Sequence, residues 1–318
     1  MDRRTFLVAL TPFVAGCFGG QRSQSTPEPT ATDTAESTPT TTPDPTETPT
    51  ATATPEPEAS SVAAERIESV QEHLTEAVYV YTGGVSDDLL SVTAATESFR
   101  ARDVLLRLDG VQRSLAEAEA EATTDDQRST VESLDTMQRF LTQATDAQSW
   151  LIDGHDALSE AYTHLDDVDL DAAENDIETA ETAAEEVDGP TRTVREEMDA
   201  ASATALDVIG ESEYEDKVSQ LSDEAEVLST LAGDADDIRN GIEMVERARD
   251  EIDDDRTDRA ADTADRAYEV LSDVEDRLDE LLDEFPERAD AFEDVVDDMR
   301  YLASRSADDA DTIYEQYA

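Results

Sequence analysis

Apolar residues spaced alternately three and four apart constrain this chain most. From Ser61 onward they recur in long stripes, the cleanest being Ala260, Ala264, Ala267, Leu271, Val274, Leu278, Leu281 and Phe285. A four-three alternation keeps one seam on one side of a helix and favours a slight left-handed supercoil. Ile67, Val70, Leu74, Ala77 and Tyr81 form a second stripe, and Val104, Leu108, Val111, Leu115, Ala118 and Ala122 a third. No useful stretch alternates with period two, so strands are not expected. The pattern predicts an all-α domain over 61–318.

Turn chemistry divides the pattern. Gly83-Gly84 separates an expected helix over about 62–82 from one over about 86–123, and Thr124-Asp125-Asp126 opens the next, over about 126–166. Asp171 and Glu174 have capping-box spacing and start a helix to about Val187. Gly189-Pro190 predicts a break and a further helix over about 191–209. Residues 214–254 read as one helix or two depending on Gly233, and Pro286 divides 257–285 from 287–317. About eight helices with short connections make an elongated antiparallel bundle or a row of hairpins, divisible into sub-bundles over about 61–210 and 211–318. With an offset of 87, Leu158–Ala183 aligns to Val245–Val270 without gaps, a candidate internal repeat. The small residues Ala161, Ala173 and Ala180 with Ile177 loosely resemble a tetratricopeptide hairpin, but the tandem 34-residue period is missing, so no peptide groove is inferred.

Charge excludes several functions. The chain has 81 acidic and 23 basic residues, a formal net charge of −58. No basic face exists to displace counterions from phosphates, so nucleic acid is not an expected partner. No run of ~20 apolar residues spans a bilayer. The single cysteine, Cys17, rules out a disulfide-stapled domain. So dense a negative charge repels itself when compact, and only salt relieves it: the screening length is ~3 Å at 1 M ionic strength against ~10 Å at 0.1 M. Lys217 is the only lysine, the other basic residues being arginine. This usage resembles that of extremely halophilic archaea.

The amino terminus carries an address. Asp2-Arg3-Arg4-Thr5-Phe6-Leu7 resembles a twin-arginine export motif, with an apolar core to Gly16 too short to cross ~30 Å of hydrocarbon. Val14-Ala15-Gly16-Cys17 resembles a lipoprotein cleavage box. The resemblance implies a signal peptide over 1–17 with Arg3 and Arg4 read for export, a lipid on the Cys17 thiol, and a protein held at the extracytoplasmic face of the cell membrane. Residues 18–60 read as a disordered Thr/Pro-rich linker, since nine of the 11 prolines lie at or before Pro57 and almost nothing large is apolar. About 40 such residues reach up to roughly 100 Å. The composition suits O-glycosylation as well as a bare linker.

No catalytic, cofactor or metal set is legible. Asp167-x-Asp169-x-Asp171 with Glu178 resembles a calcium loop, but Ala172 stands where glycine is needed. His73, His155 and His164 have no metal spacing. Trp150 reads as core packing, with ligand stacking as the sharper alternative, and Tyr79, Tyr81, Tyr301, Tyr314 and Tyr317 read as caps of the bundle ends. The expected function is a non-catalytic lipoprotein presenting an acidic helical scaffold to a protein partner at the cell surface. The alternative is an extracytoplasmic solute- or metal-binding component of a transporter or sensor.

Overall fold

A short polar side chain can open a helix by satisfying a free amide, and the computed structural model, which describes residues 58–84 and 88–318, shows three α-helices opened so. Ser60 accepts from Ala63 N, Thr124 from Gln127 N and Asp169 from Ala172 N, opening α1 (Ser61–Tyr81), α3 (Asp125–Asp166) and α4 (Leu170–Glu197). The others are α2 (Ala101–Glu121), α5 (Glu211–Asp253), α6 (Thr257–Asp283) and α7 (Glu293–Tyr317), with short 3-10 turns at Leu89–Ser91, Ala200–Ala205 and Asp290–Phe292. Arg3, Arg4, Cys17 and the linker up to residue 57 lie outside the described residues.

The domain is all-α. Each helix packs on the next in chain order, and α3 and α5, at 42 and 43 residues, are the long members. Each is ~60–65 Å long at 1.5 Å per residue. The predicted seams are the buried ones: Val70, Leu74, Ala77 and Tyr81 on α1, Val104 to Ala118 on α2, and Ala260 to Leu278 on α6. One continuous apolar core runs from α1 to α7, shared by the stretches before and after residue 210.

Several expected boundaries are corrected. The helix expected over 86–123 begins only at Ala101, and the described residues before it form a 3-10 turn and a strap with further turns. Pro190 does not break α4, because the buried seam continues past it through Val187, Thr191 and Val194. That packing outweighs the ~3 kcal/mol that an internal proline costs. The helix expected over 191–209 is replaced after Glu197 by the Ala200–Ala205 turn, Gly233 leaves α5 unbroken, and α7 starts at Glu293. The cap of α4 is Asp169, two residues before the predicted Asp171.

The two hairpins α3–α4 and α5–α6 repeat one local structure at the 87-residue offset. Val168 and Asp255 both take left-handed φ, 60° and 59°. Asp169 N donates to His164 O at 2.8 Å, and Arg256 N to Glu251 O at 2.8 Å; Val168 N donates to Leu165 O, and Asp255 N to Ile252 O. These paired bonds close each helix with a Schellman turn lacking the usual glycine. Gly154 and Gly241, also 87 apart, each sit at a close helix crossing. A Cβ would meet Leu228 Cδ2 at 2.6 Å from Gly154 and Leu271 Cγ at 2.5 Å from Gly241.

Candidate functional site

Along α5 the residues Glu213, Lys217, Gln220 and Glu224 stand four, three and four apart, the same spacing as a hydrophobic seam but polar throughout. Lys217, Gln220 and Glu224 are nonetheless buried. The strap lies across them, and the stripe engages its backbone. Leu89 N donates to Glu213 Oε1 at 2.9 Å, Gln220 Nε2 to Leu90 O at 3.4 Å, Lys217 Nζ to Val92 O at 2.7 Å, and Ala94 N to Glu224 Oε1 at 3.3 Å. These bonds explain why 89–94 does not continue as an α-helix: Leu89 N, Leu90 O, Val92 O and Ala94 N are satisfied by α5, while Leu89, Val92 and Ala94 enter the core.

Lys217 is the centre of the cluster. Its ammonium also donates to Gln148 Oε1 of α3 at 2.7 Å and to Gln220 Oε1 at 2.8 Å, so all three protons have acceptors. The Tyr81 ring of α1 lies under the charge, 5.6 Å from Nζ, and its hydroxyl donates to the same Gln148 oxygen at 3.3 Å. Burial pushes the Lys217 ammonium down to about 8, against the opposing pull of the Glu224 and Asp88 charges. Burial likewise pushes the Glu224 carboxyl up to about 7, against Lys217 and the Ala94 amide, and raises the Tyr81 hydroxyl well above its usual range. Glu224 Oε2 and Gln148 Nε2 are buried with no hydrogen-bond partner among the described residues.

An ammonium with three acceptors is a clasp rather than a nucleophile, since attack needs a free lone pair. The arrangement ties α1, α3, α5 and the strap at one point. Sequence reasoning missed this site. Its one signal was that Lys217 is the lone lysine among arginines, at a seam position where a flexible point charge fits between helices and a guanidinium fork does not.

The residues singled out from the sequence do not converge here, apart from Tyr81. Trp150 is partly buried against the core. His155 Nε2 bonds Ala291 O at 3.1 Å and its ring meets Phe292 edge-on at 5.3 Å, whereas His164 Nδ1 bonds Asp176 Oδ2 at 2.7 Å and His73 is exposed. Asp169 of the calcium-like loop is spent on capping α4. Among the described residues no three His, Cys, Asp or Glu side chains are grouped to hold a metal. Tyr301 and Tyr314 are exposed. Tyr79 and Tyr81 line a hollow of ≈ 720 Å³ with Phe99, Arg100, Leu106 and Arg107. Among the described residues no helix is long and apolar enough to cross a membrane. Comparison with protein-family models, curated proteins and solved structures finds no match to this chain.

Proposed function

We propose that this protein is a non-catalytic, lipid-anchored surface protein that presents an acidic helical scaffold outside the cell, tethered through Cys17 after export read at Arg3 and Arg4. The observation that carries the scaffold reading is the core that draws side chains from every α-helix of the described residues, with the lysine committed to internal acceptors. A domain built so is suited to offer its surface. The motifs at Arg3-Arg4 and Val14–Cys17 support export and lipidation, and the excess of Asp and Glu with nearly lysine-free cations supports a saline habitat. Fractionation of cells expressing Cys17→Ser tests the tether: release into the medium or loss of processing is expected. Retention of the variant in the membrane at unchanged mass would refute it.

A second reading, a solute-binding component, is favoured by the hollow beside Tyr79, Tyr81 and Phe99. Its two arginines stand out in so acidic a chain, and Arg107 is paired with Glu76 at 2.6 Å. A saturable thermal shift with an anionic aromatic solute, abolished by Phe99→Ala, supports this reading; no shift with any such solute rejects it.

A further inference from the structure

Between the strap and the connector that precedes α7 lies a second cavity, ≈ 200 Å³, bounded by Leu90, Thr93, Glu224, Glu287, Asp290 and Ala291. Glu224 is fully buried; Oε1 accepts from Ala94 N, and Oε2 has no partner among the described residues. A buried carboxylate oxygen left unpaired costs free energy that a bound donor would recover.

The neighbouring donors are already committed. Lys217 spends its three protons on Val92, Gln148 and Gln220. Gln220, also on the cavity wall, donates through Nε2 to Leu90 O. Arg288, the one cation among the described residues of the wall, pairs with Asp216 at 2.6 Å. Glu287 and Asp290 are exposed and add negative charge to the lining.

The three carboxyl groups on the lining, Glu224, Glu287 and Asp290, favour a positively charged donor there. The absence of a three-ligand group among the described residues argues against a coordinated divalent ion. An ammonium needs acceptors but no fixed coordination geometry. Leu90 and Ala291 supply apolar wall for a short alkyl stem. We propose that this cavity binds a small primary alkylammonium ion, which donates to Glu224 Oε2 on the buried side and faces Glu287 and Asp290. The site goes beyond the scaffold reading and does not depend on the lipid tether.

The test is calorimetric titration of the purified full-length chain with methylammonium and propylammonium chloride at pH 8, replacing potassium chloride at constant total salt. Saturable binding is expected for both, with none for tetramethylammonium, which lacks N–H donors. Glu224→Gln should weaken binding at least ~10-fold, since it removes the buried charge. Asp290→Asn should weaken it only ~2–3-fold, as for an exposed charge. A parallel melt of Glu224→Gln verifies that it remains folded. No saturable heat from the unsubstituted protein, equal binding by Glu224→Gln, or equal binding of tetramethylammonium would each overturn the proposal.

Discussion

Replacing Glu224 by glutamine removes a buried charge while keeping the shape and the oxygen that accepts the Ala94 amide. The carboxyl is pushed from its ordinary 4.5 to about 7 by burial, so folding favours its protonated form. That preference is fully present below pH 4.5 and is lost as pH rises through 7. At about 1.4 kcal/mol per tenfold change in proton affinity, the gap of about 2.5 corresponds to about 3 kcal/mol. Glutamine cannot ionise, so Glu224→Gln should gain on the unsubstituted protein as pH rises from 4.5 to 8; because the Glu224 charge also supports the buried Lys217 ammonium, about 3 kcal/mol is the upper limit of that gain. For the ~260 residues of the folded unit, the unfolding entropy of ~2.1 cal/mol/K per residue makes that limit a rise of about 6 °C in Tm. Melts followed by circular dichroism at pH 4.5, 6 and 8, at constant multimolar salt, measure the difference directly. The other carboxylates titrate in both proteins and cancel. A Tm difference that does not change with pH, or a variant that melts lower at pH 8, would refute the reasoning.

Two glycines of α5 should respond in opposite directions. Gly233→Ala places its methyl in open space and should stabilise by ~0.5–1 kcal/mol in denaturant titration, whereas Gly241→Ala drives it against Leu271 and should destabilise by ~1–3 kcal/mol. Val168→Gly relieves a β-branched residue at φ 60° and should stabilise by about 1 kcal/mol, with a smaller gain for Asp255→Gly because Asp tolerates that region better. Pro190→Ala restores the bond to Glu186 O within α4 and should raise stability by ~1–3 kcal/mol on the same scale. Dialysis from multimolar to ~0.01 M salt lengthens the screening length to ~30 Å and should abolish the helical circular dichroism signal, an outcome that retained helicity would contradict.

Much of the bundle is written in local patterns. The stripes on α1, α2 and α6 are buried as their spacing demands, because a helix exposes one face per three-to-four-residue step whatever it packs on. Thr124 caps α3 for the same local reason. The expectations that failed were those where distant residues overrule local preference. Pro190 sits inside α4 because packing of Thr191 and Val194 holds the helix together, and 89–94 leaves the helix because side chains more than 120 residues away take its hydrogen bonds. The polar stripe of α5 was hidden because its spacing is that of a seam while its residues read as solvated surface.

Helix, period and sign of charge are legible in the sequence, since each depends on neighbours within a turn or on composition alone. That Lys217 and Glu224 lie buried beneath a strap, that Gly154 and Gly241 mark helix crossings, and that a carboxylate oxygen has no donor among the described residues are consequences of packing. Those are properties of pairs distant along the chain, where desolvation and contact are set by which surfaces meet.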